Sequence, residues 1–168
     1  MAHQSDCPRP GESDTEFRDR LLTDINALIA EHGHAGVTIY GDSPHETWTY
    51  SVGLQDAGWP ELIVTSINPQ TGLMMINEVV SRLRSLDERP EAMMKVTEAL
   101  SVPVYLRPVS RPAIYRCCKV AMARANRLGL PDRSVTALQI AWPDEAGRFP
   151  WQPGYDETRF PQRLLDHE

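Results

Sequence analysis

Two strand-forming stretches, residues 47–54 and 61–67, lie only six residues apart, and this spacing constrains the fold more than any other feature of the chain. So short a link favours a direct turn-back between neighbouring strands. In the first stretch Trp48, Tyr50, Val52 and Leu54 alternate with Thr47, Thr49, Ser51 and Gly53, the period-two signature of a half-buried strand. The second has fewer polar positions and is expected nearer the centre of a sheet. Residues 36–40 read as a preceding strand, closed by a turn-rich loop at 41–46. Residues 102–106 and 134–142 read as later strands. Pro103 places the former at an edge or at its own first residue, because proline cannot donate to a ladder.

Helical signals flank these strands. Ser13 and Glu16 form an S-x-x-E capping box. Phe17, Leu21, Ile25, Leu28 and Ile29 follow at helical spacing, with Leu22 beside them, and Gly33 offers a stop after His32. Asn68 and Pro69 open a second helix with the stripe Leu73, Ile76, Val80 and Leu83. Ser110 and Pro112 open a third over 111–128, with the stripe Ile114, Cys118, Ala121, Ala125 and Leu128 before Gly129 and Pro131. Residues 87–101 are ambiguous: Pro90 can start a short helix to Leu100, but the apolar period is weak. Residues 1–12 carry two prolines and a glycine without periodicity and read as a disordered arm. Residues 13–168 then form one α+β domain, with a mostly antiparallel sheet of about five strands and two to four packed helices.

Composition narrows the function class. At 168 residues, 41% apolar and 24% charged, the chain can bury a core without staples. Its apolar runs are shorter than the ~20 residues a membrane span needs, and the acidic N-terminus lacks the core of a secretory signal. A net charge of −6 argues against nucleic acid as a partner. Three cysteines, Cys7, Cys117 and Cys118, form no C-x-x-C and suit a reducing cytoplasm. Cys117 and Cys118 read as small apolar residues of a buried helix face, with a vicinal redox pair as the alternative. No glycine pattern of a phosphate loop is present.

Charge is unevenly placed. Residues 1–61 hold eleven acids against three arginines, and residues 103–133 hold seven basic residues against one acid. Arg116, Lys119, Arg124 and Arg127 lie off the apolar stripe of the third helix. They read as a solvated face pairing with the acidic N-terminal helix, or as a surface for an anion or an acidic partner.

Several segments together resemble a known family. They are Trp48-Thr49-Tyr50-Ser51-Val52-Gly53-Leu54, Pro60-Glu61-Leu62, Gln139-Ile140-Ala141-Trp142-Pro143-Asp144 and Gly147-Arg148-Phe149-Pro150-Trp151. Gly154 and Pro161-Gln162-Arg163-Leu164-Leu165 extend the match, which spans about residues 20–165. The chain resembles the bacterial domain of unknown function numbered 4262. It departs from that pattern at Ser51, where the family usually has Thr, and at Gly33-His34, where it tends to Gly-Trp. The resemblance implies kinship and carries no activity.

The candidate chemistry divides by sheet end. His32, His34, Asp56 and Glu61 share one end and are metal-ligand types, or solvent-facing polar residues at a helix end. Ser43, His45 and Glu46 share the other as a triad-like set without a nucleophile elbow. Glu61 at a central strand start suits a base of raised pKa, or an acceptor for turn amides. Asp144 suits bracing its own turn. Gln139 inside a strand needs a neighbour or a ligand to satisfy it.

Two functions remain. One is a small cytosolic binding or interaction domain of accessory or immunity type, using an aromatic surface near Trp48, Tyr50, Trp142 and Trp151. The alternative is a small-molecule enzyme with a pocket holding Glu61, Gln139 and Asp144. The expected partner is a small molecule or a protein, and no cofactor or metal is assigned. The segment 143–151 is expected to fold back and wall the site, because the rings of Trp142 just before it and of Phe149 and Trp151 within it are costly in water.

Overall fold

The computed structural model describes residues 8–166, so the first seven residues of the expected N-terminal arm lie outside it. Helix α1 (Asp14–His32) starts at the capping box, with Ser13 and Glu16 bonded reciprocally, and ends at left-handed Gly33. Strands β1 (Ala35–Ile39), β2 (Trp48–Val52) and β3 (Glu61–Thr65) follow, then α2 (Pro69–Ser85) with Asn68 as its cap. Next come β4 (Met94–Val96), β5 (Val104–Pro108), α3 (Arg111–Cys117), α4 (Lys119–Arg127) and β6 (Ala137–Ala141).

The sheet runs β1-β2-β3-β6-β5-β4. Every neighbouring pair is antiparallel except β3 with β6, where Glu61 lies beside Ala137 and Ile63 beside Gln139. This is the expected α+β domain, with six strands in place of about five. Three layers result. Ile25 and Ile29 of α1 pack with Ile114 of α3, Cys118 between the helices, and Ala121 and Ala125 of α4 on Tyr50, Val52 and Ile63. Met75, Ile76, Val79, Val80 and Leu83 of α2 cover the other face over Leu62, Val64, Leu106 and Ile140. Among the described residues no helix is long and apolar enough to cross a membrane.

Several sequence expectations are corrected. The sixth strand arises in residues 87–101, where pairing with β5 wins over the weak helical period after Pro90. Pro103 precedes β5, which is an interior strand; the reading as a strand start holds and the edge reading does not. β2 is covered on both faces, so Thr49 and Ser51 are buried as fully as Tyr50 and Val52. The chain leaves β2 at Gly53, with φ +107°, and Leu54 crosses into the α2-side core, away from Tyr50 and Val52.

The single helix expected over 111–128 is broken at Cys118, with φ −107° and ψ 39°. Two β2 side chains occupy the break. The Val120 amide donates to the Tyr50 hydroxyl at 3.1 Å, and Trp48 Nε1 donates to the Cys117 carbonyl at 3.0 Å. A continuous helix needs both backbone groups for its own i to i−4 bonds. Leu128, expected in the stripe, is exposed beyond the end of α4.

Candidate functional site

Glu61 enters the core because β3 is central, and its carboxylate meets donors on β2 and on the turn after it. Ser51 Oγ donates to it at 2.5 Å and the Gly53 amide at 2.9 Å; the Leu54 and Gln55 amides approach at 3.4 and 3.3 Å. Burial pushes its pKa up to about 7 against these stabilising bonds. The expected role as acceptor of turn amides describes its contacts.

Gln139 lies on the face shared by Thr65 and Arg107 on neighbouring strands. Its amide nitrogen donates to Thr65 Oγ1 at 3.0 Å and to the Arg163 carbonyl at 2.7 Å, and its oxygen accepts the Leu165 amide at 2.9 Å. The Leu165 carbonyl in turn accepts the Ser110 amide, and Arg107 pairs with Asp166. The buried glutamine therefore fastens the C-terminal segment across the sheet.

Asp144 braces its own loop, accepting the Ala146, Arg148 and Asp156 amides and pairing with the Arg148 guanidinium at 3.0 Å. Burial works to raise its pKa, but these amides and Arg148 hold it below the usual carboxylate value. Among the described residues Glu61, Gln139 and Asp144 share no hydrogen-bond partner; each serves a different joint of the fold.

The aromatic candidates are also dispersed. Trp48 and Tyr50 seat the α3–α4 break. Trp142 packs on the α2 side, and its backbone is bracketed by Gln162, which accepts the Trp142 amide at 3.0 Å and donates to its carbonyl at 2.8 Å. Trp151 stacks on Phe149 with centroids 5.1 Å apart and meets Tyr105 edge-on at 5.6 Å. The Arg107 guanidinium lies over the Trp151 ring at 4.4 Å. After Trp142 the chain brings Phe149, 5% exposed, and Trp151, 36% exposed, against Tyr105 of β5.

The ligand-type residues at the sheet ends are turned to separate partners. His34 bonds Asn77, Asp56 takes a bidentate pair from Arg124, and Ser43 bonds Glu46 at 3.4 Å. Among the described residues no three His, Cys, Asp or Glu side chains are grouped to hold a metal. Arg127 pairs with Asp19 of α1, so part of the basic face is neutralised by acidic residues as the charge pattern suggested.

Two concavities lie along the C-terminal segment. A hollow of about 300 Å³ is lined by Pro150, Tyr155, Glu157, Gln162, Arg163 and Leu164. A cleft of about 10 Å³ is lined by His45, Thr47, Trp48, Thr65, Cys117 and Arg163, among others. Gln162, Tyr155 and Arg163 were not singled out as site residues from the sequence. The signal was present: a polar Gln-Arg pair among apolar neighbours in residues 161–165, beyond the last strand.

The family model described as Domain of unknown function (DUF4262) matches residues 28–156. No curated protein and no solved structure matches the chain.

Proposed function

Since the chain belongs to the DUF4262 family, a membership that fixes kinship and no activity, we propose from its geometry that it is a small binding domain whose ligand seats in the hollow of the C-terminal segment. One observation carries this reading. The walls of the hollow come from residues 150–164, and buried polar side chains hold that segment in place: Gln139 from the sheet, Asp144 from the loop before it, and Gln162 from the segment itself. A preorganised concave surface with a few polar groups is what small-ligand sites share.

The same reading places the protein in a reducing bacterial cytoplasm. The free, buried thiols of Cys117 and Cys118 support that setting, and the bacterial origin rests on the family resemblance. Nucleic acid is a poor partner for a chain of net charge −6 whose Arg124 and Arg127 are paired with Asp56 and Asp19. The enzyme alternative needs Glu61, Gln139 and Asp144 in one pocket, and neither concavity is lined by any of them.

Amide-resolved NMR against a library of small fragments tests the proposal. Shifts concentrated at Tyr155, Gln162 and Leu164 support it. Hits confined to other surfaces, or a library without hits, overturn it.

A further inference from the structure

The sheet order leaves two edges, β1 and β4, and they are built differently. β4 has three residues, with exposed Lys95 at its middle, left-handed Met93 just before it and left-handed Glu98 two residues beyond it. Shortness, a charged side chain and kinked flanks are devices that stop an edge from recruiting another strand. β1 has none of them. It runs for five residues, Ala35–Ile39, and from Gly33 to Gly41 the sequence holds no Asp, Glu, Lys, Arg or Pro. His34, the one basic side chain in that stretch, is turned to Asn77 of α2. Among the described residues only β2 pairs with β1, so the other side of its backbone carries no ladder. An open row of amides and carbonyls of this length is a template for a further strand.

The side chains along the edge say which strand fits. Tyr40, one residue past β1, is 70% exposed. It continues the alternation of Gly36 and Thr38, since residues two apart share a face. That face lies toward α2: Thr38 Oγ1 meets Thr49 Oγ1 at 2.9 Å, and a Cβ added at Gly36 would sit 2.3 Å from Leu73 Cδ1. Gly36 is exposed and Leu73 half-buried, so together they offer an apolar spot beside the edge. On the opposite face Val37 and Ile39 are half-buried against the α1-side core.

We propose that β1 is a self-association edge: a second copy of this chain adds its own β1 antiparallel, with the twofold axis at Thr38, so that two six-stranded sheets join into one. In that register Gly36 lies opposite Tyr40 of the second copy, and Val37 opposite its Ile39. Each Tyr40 ring then covers the bare Gly36 and reaches Leu73, as a cross-strand aromatic covers an edge glycine. The pairing is isologous, so every side chain near the axis faces its own kind. A charge there would meet its like and repel, and in a chain of net charge −6 the stretch from Gly33 to Gly41 carries no acid. None of these residues lines the hollow or the cleft, so the dimer and the binding reading stand or fall separately.

Sedimentation velocity of the full chain between about 1 and 200 µM, a range suited to a modest interface, tests this together with hydrogen exchange at both ends of the range. A concentration-dependent dimer is expected, with the β1 amides that point away from β2 protected at the high concentration and exchanging freely at the low one. Tyr40→Lys changes a mostly exposed side chain and should weaken the dimer at least about tenfold, whereas Tyr40→Phe should retain it. A monomer at every concentration overturns the proposal. So does a dimer that leaves β1 exchange unchanged and is indifferent to Tyr40→Lys, which would place the interface elsewhere. Protection of the same amides in the monomer also overturns it, because the edge is then covered from within the chain.

Discussion

Ser51 Oγ accepts a hydrogen bond from the Leu62 amide at 2.8 Å and donates one to Glu61 Oε2 at 2.5 Å. A side-chain relay thereby joins β2 to β3 beyond the last paired residues of that ladder, Tyr50 and Ile63. The carboxylate at its end gathers the turn 53–55. That arrangement makes Glu61 a buried titratable acceptor that ties the end of β2 to the start of β3.

The pH response follows from the raised pKa. The fold binds the Glu61 proton more tightly than the unfolded chain does, between 4.5 and about 7. Stability from this group is therefore full below 4.5, is lost as pH rises to about 7, and is flat above that. His34, lowered chiefly by burial, gives a slope of opposite sign near its own titration. The comparison with Glu61→Gln isolates the carboxylate. That variant should lose the downward slope between pH 5 and 7.5 and be about 1–3 kcal/mol less stable, since its amide nitrogen must face donors. Urea titrations at several pH values read both effects; an unchanged slope would refute the assignment.

Gln139→Leu tests the clamp. The change keeps volume near the native value but leaves the Leu165 amide unpaired and frees the Arg163 carbonyl from one donor. We expect a loss of about 2–3 kcal/mol. Hydrogen exchange should speed at the Leu165 amide well before it does in β6. Uniform loss of protection across the sheet would instead mean that Gln139 supports the core and not the segment.

Much of the architecture was legible because its signals are local. The Ser13 box, the Asn68 and Ser110 caps and the alternation around Tyr50 each act within a few residues. What escaped the sequence depends on partners far along the chain. The helix break at Cys118 is occupied by Trp48 and Tyr50, some seventy positions away, and helical periodicity runs through it unaltered. The strand at Met94–Val96 exists through its pairing with β5. For the site, the need to satisfy a buried Gln139 was readable, and so was the return of the aromatic segment. That the glutamine is satisfied by residues 163 and 165 requires the tail to be placed first.

Gly53 holds two constraints at once. Its φ of +107° disfavours any side chain, and an added Cβ would sit 2.7 Å from Ile29 Cδ1 of α1. Gly129 has a similar left-handed φ of +71° with open space around it. Gly53→Ala should cost roughly 3 kcal/mol or more, and Gly129→Ala about 1 kcal/mol. Thermal melts of the two variants side by side separate steric conflict from backbone strain, and equal losses would show that Ile29 yields freely.

The aromatic return supplies the last prediction. Phe149 is nearly enclosed and meets Tyr105 edge-on at 4.8 Å, whereas Trp151 stacks over it with one side in solvent. Trp151 also covers Arg107, whose guanidinium reaches Asp166 near the end of the clamped segment. Removing the buried ring opens a cavity, and removing the outer ring strips a lid. Phe149→Ala should therefore cost about 3–5 kcal/mol and Trp151→Ala only about 1–2 kcal/mol. Loss of Trp151 exposes the Arg107–Asp166 pair to water, which screens it. Trp151→Ala should then show a steeper dependence of the melting temperature on salt than the native protein. An unchanged melting temperature together with an unchanged salt dependence would mean that the segment holds its shape without this ring, leaving Phe149 and Asp144 as its anchors.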